Sequence, residues 1–323
     1  MASVLDNAVL FGLESTYGTP ATLTRGYEAK ADDWKRVQEP LESVGMRGGI
    51  ETMRSDRRIQ INMGGEGSIE FDVKKNGLGL LLQAMLGSIA GPTQIGATAA
   101  YTTTATTAST TTLLSYTVQV QRIANDLSVQ SHTHHGAMIK DWAFTQDVGG
   151  FLVAKMGFDS EDVDNTTGDG TPAYPATSPF HWGQAVITLD SVATDALTFS
   201  VQEDLMLKKD RRFLRGSTLK KQPLRAGIPT ITGSVSLEYA DDTQYDDWVA
   251  GTIIPITATW TGAVIESPEV EEIVITLPAC QYSGESPQAS LNDLSTITMP
   301  FTVLDNGTDP AVTFTYTSTD TAL

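Results

Sequence analysis

The sequence predicts a mainly β chain made of two tandem β-sandwich or barrel units, each with a short flanking helix. Three observations predict it. One plan occurs twice: a basic loop, a strand opened by Gly-Ser, a turn, and a short helical segment. The strands alternate apolar and polar residues at the two-residue period that puts one set of side chains on one face. The length, 323 residues, suits two domains that can each bury a core.

The first copy of the plan runs from Arg47, Arg54, Arg57 and Arg58 into Gly67-Ser68-Ile69-Glu70-Phe71-Asp72. The second runs from Lys208, Lys209, Arg211, Arg212, Arg215, Lys220, Lys221 and Arg225 into Gly233-Ser234-Val235-Ser236-Leu237-Glu238. Ile69 and Phe71 share a face, as do Val235 and Leu237. Apolar helical segments follow at 78–86 and 245–250. A recurring supersecondary unit is read first, because missing it misassigns the whole fold. The units are expected at 1–165 and 184–323, joined by an acidic, Pro- and Gly-rich linker or insertion at 166–183.

The elements follow in chain order. Residues 8–13 read as a short apolar strand and 33–42 as an extended segment. Residues 45–67, rich in Gly, Arg and Met, read as a long exposed loop. The Ala/Thr stretch 91–112 buries little and reads as a loop or an edge ribbon. Residues 116–121 alternate as a strand. Strands at 137–145 and 151–158 are joined by the Asp147-Val148-Gly149-Gly150 turn. Residues 159–179 carry acids, Gly, Pro and Thr and read as a linker. The second unit has strand candidates at 185–189, 197–202, 253–260, 272–277, 297–304 and 312–316.

Composition narrows the function classes. The chain is 40% hydrophobic and 19% charged, with a net charge of −18. Twelve of its 21 cations lie in the two basic loops, and none follows Arg225. So acidic a surface argues against nucleic-acid binding, which needs clustered Lys and Arg to neutralise phosphates. The single cysteine, Cys280, ends a strand-like apolar run and reads as a buried structural thiol. The first residues do not read as a signal peptide, and segment 78–86 is too short to span a bilayer. The chain is expected to be made soluble in the cytoplasm.

Chemical sites are weakly represented. His132, His134 and His135 could supply two ligands from one strand face, but structural zinc needs three or four, so a polar turn before the next strand is the simpler reading. Asp159, Glu161, Asp162, Asp164 and Asp169 lack the glycine and terminal Glu of a calcium loop. Gly64-Gly65-Glu66-Gly67-Ser68 precedes a strand and lacks the Gly-Lys-Ser/Thr of a phosphate loop. No Gly-x-Ser-x-Gly elbow occurs. The five tryptophans are scattered singly, as packing residues are. No catalytic residue, metal or cofactor is assigned. The run Lys208-Lys209-Asp210-Arg211-Arg212 is read as a contact for protein acids.

The opening Phe11-Gly12-Leu13-Glu14-Ser15-Thr16-Tyr17-Gly18-Thr19-Pro20, then Gly45-Met46-Arg47 and the Gly67-Ser68 strand, resembles the tail tube proteins of long-tailed bacteriophages. The run from Gly233-Ser234 through Tyr239-Ala240-Asp241-Asp242 to Trp260, and Phe314-Thr315-Tyr316-Thr317, are similar to the same group. The resemblance implies two packed β-sheets with a flanking helix, and inner sheets joined between subunits into a closed barrel. It implies stacked rings, a virion tail location, and a lumen through which genomic DNA leaves without specific binding. A chain with two such units is expected to form a trimer with pseudo-sixfold symmetry in preference to a hexamer. The other partners implied are tape measure, tail tip and terminator proteins, with no membrane. The basic loops are the candidate ring-stacking or subunit-contact loops, since charge complementarity sets register and partner choice. The alternatives are a tail-tip or hub ring protein, a receptor- or glycan-binding β-sandwich adhesin, and, least supported, a metal hydrolase using the histidines.

Overall fold

Alternating strands separated by glycine-rich turns leave few backbone groups for helices, so the chain must satisfy its amides between strands. A computed structural model describes residues 7–107, 113–284, 286, 287 and 294–323. Among the described residues the α-helices are Gly79–Leu86 and Thr243–Ala250, and strands form most of the rest. Each helix is closed by a glycine in the left-handed region, Gly87 and Gly251, as the sequence plan requires.

The main layer is a continuous antiparallel sheet. In spatial order it contains Lys35–Glu42, Arg58–Asp72, Val153–Ser160, the second half of Val129–Asp147, Ala196–Asp204, Thr230–Glu238 and Thr296–Val303. Two outer groups of strands pack over it. One holds Arg25–Tyr27, Ala8–Leu13, Tyr116–Ile123, the first half of Val129–Asp147, and Asp162–Asp164. The other holds Val192–Thr194, Ala185–Leu189, Ile253–Glu266, Glu269–Tyr282, Thr313–Ser318, Tyr101–Thr107 and Gly87–Gln94.

The pairings recur along the chain. Ala8–Leu13 pairs with Arg25–Tyr27 and Tyr116–Ile123; Ala185–Leu189 pairs with Val192–Thr194 and Ile253–Glu266. Lys35–Glu42, Arg58–Asp72 and Val153–Ser160 are consecutive neighbours, as are Ala196–Asp204, Thr230–Glu238 and Thr296–Val303. Three of the four partners of Val129–Asp147, the strand before it and the two after it in the chain, are matched by those of Glu269–Tyr282. Even a register shift recurs, between Tyr116 and Val118 and between Ile254 and Ile256.

Aromatic rings fill the space between layers. Phe158 meets Phe11 at 5.5 Å, Phe144 meets Phe314 at 5.1 Å, and Phe199 meets Trp260 at 6.2 Å between centroids. Each ring buried this way is worth about 1.5–3 kcal/mol over leaving it in water. One hydrophobic core cluster runs through both halves of the chain.

Several boundaries differ from expectation. The strand that holds Gly67-Ser68 already begins at Arg58, so half of the predicted loop is sheet. The glycines that read as loop are needed by neighbours: a Cβ on Gly67 would strike the Trp34 ring, and one on Gly65 would strike His134 and Ser160. The histidines lie inside the strand Val129–Asp147, not in a turn before it. Residues 87–94 and 101–107 form a ribbon on the second outer sheet, while 108–112 lie outside the described residues. Asp159 and Ser160 end a strand and Asp162–Asp164 is another, so the irregular segment starts later than residue 159. Its residues are tied to the body: Gly170 donates to Gln119 at 2.7 Å and Gly26 donates to the Ala173 carbonyl at 2.9 Å.

One buried carboxylate organises the first outer sheet. Glu14 accepts hydrogen bonds from the Gly18 and Gly136 amides and the Ser115 and Thr117 hydroxyls, at 2.7–2.9 Å. These four donors come from three chain segments. Replacing Glu14 with Ala leaves them buried and unpaired, which is expected to cost about 2–4 kcal/mol in urea unfolding. An unchanged midpoint would show that Glu14 holds nothing together.

Candidate assembly surfaces

The main sheet has two unlike faces. Ile69, Phe71, Met156, Phe158, Trp142, Phe144, Val201, Val235, Met299 and Phe301 are buried against the outer strands. The opposite face carries the alternate residues of the same strands. Glu70, Lys155, Ala143, Gln202, Thr232 and Thr302 lie side by side across six strands. The next row is Asp72, Val153, Thr145, Ser200, Ser234 and Pro300. Asp147, Thr198, Ser236 and Thr298 form a third. Small hydroxyls and carboxylates dominate, and no aromatic side chain stands on these rows.

The face is acidic. Glu66 is paired with Lys35 at 2.9 Å and Asp72 with Lys30 at 3.0 Å, both in solvent and so worth little. Glu70, Asp141, Asp147 and Asp204 have no ion pair among the described residues.

The sheet also ends at two open flanks. Among the described residues, Lys35–Glu42 pairs with Arg58–Asp72 on one side only. At the other flank Thr296–Val303 is met by Cys280, Gln281 and Tyr282 at its last residues, leaving its first part open among the described residues. Unpaired edges of this kind template pairing with another chain.

The basic loops are placed very differently. The first is the tip of the hairpin formed by Lys35–Glu42 and Arg58–Asp72, which continues past the body of the sheet. Arg47 is exposed there; Arg54 pairs with Asp56 and Arg58 with Glu42, and Arg57 is half-buried. The second loop is folded back over the first half of the chain. Lys220 is buried, with Nζ 2.7 Å from Asp159 Oδ1. Arg212 donates to the Met63 carbonyl at 2.7 Å and to that of Thr218 at 2.6 Å. Arg211 donates to the Gln222 carbonyl, and Arg215 to that of Leu219. Arg211 and Lys221 flank the Phe213 ring at 5.7 and 5.6 Å. Leu207–Lys208 pairs with Leu224–Arg225 as a small ribbon, while Lys208, Lys209 and Lys221 reach solvent. Nothing in the local pattern marks Lys220 as buried while Lys221 beside it is exposed.

The remaining candidates are structural in their surroundings. Burial pushes the Cys280 thiol up to about 12, which removes its nucleophilicity near neutral pH. His134 packs on Trp34 at 4.7 Å with Nδ1 3.0 Å from Ser160 Oγ. Burial, with His132 and His135 nearby, holds its imidazole down at about 3. Among the described residues no three His, Cys, Asp or Glu side chains converge as a metal site. Burial raises the Asp159 carboxyl above the usual range despite Lys220 beside it.

Among the described residues, a two-faced antiparallel sheet with open edges and projecting loops defines a β-structural protein of the self-assembling class. Residues 5–317 match the profile of the phage tail tube protein family, and the chain belongs to that family. Its role is that of a structural component of the virion tail tube, which assembles with itself and with other tail proteins. No helix among the described residues is long and apolar enough to cross a membrane. No curated protein matches the chain.

Two outcomes are expected of the isolated subunit. Lys220→Ala strands the Asp159 carboxylate in a buried site and is expected to cost about 3–5 kcal/mol, read by urea unfolding; a loss near zero would show that the clasp is loose. His134 is neutral when folded, whereas the unfolded imidazole takes up a proton below about pH 6.5. Stability therefore falls from pH 6.5 toward 3, and the advantage of wild type over His134→Asn is expected to narrow over that window. A constant difference would mean that His134 titrates normally.

Proposed function

We propose that the protein forms rings of three chains with pseudo-sixfold symmetry, in which residues 1–165 and 184–323 act as two tube-like units joined through 166–183. The observation that carries this reading is the recurrence of strand pairings, including the shared register shift, between the two parts of the chain. Within the chain, strand Ala196–Asp204 lies against the second half of Val129–Asp147, from Thr198 beside Asp147 to Asp204 beside Asp141. Lys35–Glu42 holds the corresponding place in the first part, and its outer edge is open. In the ring, that edge joins the far flank of the next copy, beyond Tyr282. Three such seams and three seams inside the chains close one barrel, and closure removes the edges.

The acidic, hydroxyl-rich face then lines the lumen, and genomic DNA passes along it without specific binding. Rings stack head to tail, the heterologous contact that extends without closing. The exposed cations Arg47, Lys208, Lys209 and Lys221 lie at the hairpin end, available to acids of the next ring. Tape measure, tail tip and terminator proteins are the further partners of this reading. The chain carries no catalytic role: its thiol is inert and its buried carboxylates serve the fold.

Native mass measurement with electron microscopy tests the reading. Stacked hollow rings that dissociate to trimers are expected. Rings of six chains would keep the tube and remove the pseudo-sixfold assignment. A discrete oligomer that never stacks and binds glycans would replace it with the adhesin alternative.

A further inference from the structure

The two ends of the subunit carry unlike exposed apolar surfaces. At the hairpin end, Val44 is 84% and Met46 fully exposed, with Ile50 and Met53 beside them in the loop also open to solvent. Among the described residues, none of the tip's apolar side chains belongs to the hydrophobic core. At the opposite end lies a groove of about 330 Å³ lined by Val148, Trp182, Ile187, Ala196 and Leu197. Val148 and Trp182 are more than half-way or half-way exposed, at 57% and 50%. The charged residues lining it are Asp147 and Asp195; no Lys or Arg lines it.

The strand register fixes the two patches at opposite ends. Arg58–Asp72 starts at the hairpin tip and finishes at Asp72, which pairs with Val153 next to the turn that bears Val148. Its 15 residues separate the patches by roughly 50 Å at the usual strand rise. A tip and groove so far apart cannot meet within one subunit.

We propose that the hairpin tip of one copy, through Val44, Met46, Ile50 and Met53, seats in the Val148–Trp182 groove of the next copy along the tube, with Arg47 facing Asp147 and Asp195. The inference rests on the tube reading and names the surfaces that stack. The occupant is a second copy because the two surfaces match in both chemistry and sign. The apolar side chains supply contact area that is otherwise left in water. The two methionines are unbranched and adapt to an irregular groove. Arg47, exposed at the tip and without an ion pair among the described residues, meets two carboxylates, which selects register and direction. Different surfaces at opposite ends also give the contact a polarity, which an extending tube needs and a closed dimer does not.

Disulfide trapping tests it in the full-length chain, where native Cys280 stays buried. Chains carrying Met46→Cys are mixed with chains carrying Val148→Cys, and separately with chains carrying Val264→Cys, a site of similar exposure (65%) away from the groove. The expected result is a disulfide-linked heterodimer with Val148→Cys, well above the control, in protein that electron microscopy shows as stacked rings. Equal yields from the two mixtures in stacked protein would overturn the tip-in-groove contact and leave the tube reading standing. Wild-type protein that never forms rings would overturn both. A second variant, Met46→Asp with Met53→Asp, is expected to keep the thermal unfolding and ring mass of wild type while raising the concentration needed for stacking by about tenfold, the effect of 1.4 kcal/mol. Stacking at the wild-type concentration would sink the proposal independently of cross-linking.

Discussion

A single strand that serves two sheets is the constraint on which the rest of the structure depends. Val129–Asp147 pairs through its first half with the outer strands and through its second half with the main sheet. The crossing takes place between Gly136, whose φ of +63° favours glycine, and Lys140, the extra residue at a register shift. A Cβ at Gly136 would also meet Tyr17 and Glu161. Beyond the crossing the strand joins Ala196–Asp204, so the main sheet passes from one part of the chain to the other without a gap. The join is fastened on its buried side. Trp142 donates to Glu203 at 2.8 Å, Trp260 donates to Gln146 at 3.0 Å, and Phe144 stacks on Phe314. Such bonds, once satisfied in a low-dielectric core, are costly to break singly.

Around that join the two parts of the chain exchange elements. The ribbon of Gly87–Gln94 and Tyr101–Thr107 follows the first helix yet extends the second outer sheet through Thr313–Ser318. In return, the loop after Ala196–Asp204 lays Lys220 on Asp159 and Arg212 on Met63. The ribbon has no counterpart among the described residues of the second part, whereas the loop takes the place that the projecting hairpin tip holds in the first part and folds back instead. Each lies across the join. The exchange also redistributes charge. Cations that look available in sequence are partly consumed by the subunit's own carbonyls and carboxylates, and Asp141, Asp147 and Asp204 of the sheet face have no ion pair among the described residues.

Much of this was legible from residue pattern, and the failures have physical causes. The Gly-Ser strands, both helices and the Asp147–Gly150 turn follow from local periodicity and left-handed glycines, which report on the chain nearby. The start of the strand at Arg58 was hidden because Gly64, Gly65 and Gly67 mimic a loop; their small size is required by Trp34, His134 and Ser160 across the sheet. The strand bearing His132, His134 and His135 was missed because its polar residues pair with distant neighbours: His134 is satisfied by Ser160 and shielded by Trp34. Glu14 read as an ordinary polar residue of the opening motif. Its four donors converge only when residues 115–136 fold over it. Tertiary partners, unlike periodicity, leave no mark at fixed spacing.

The placement of apolar and polar surface answers a problem that any channel polymer faces. Subunits must adhere to one another while the surface they enclose adheres to nothing. Here the large exposed side chains of the hairpin tip and the opposite groove lie at the ends, whereas the broad sheet face is built of Ser, Thr, Gln and carboxylates. Net charge complicates adhesion, since chains of −18 repel one another. Salt resolves the conflict by distance. At physiological ionic strength the Debye length is about 8 Å, so repulsion between whole subunits is screened while pairs in direct contact are not. On the proposed reading, assembly depends on close, local complementarity at flanks and ends, and the acids of the sheet face act over the short range between the lumen wall and a passing phosphate backbone. The acidic composition that argued against DNA binding is, on that reading, what keeps the conduit open.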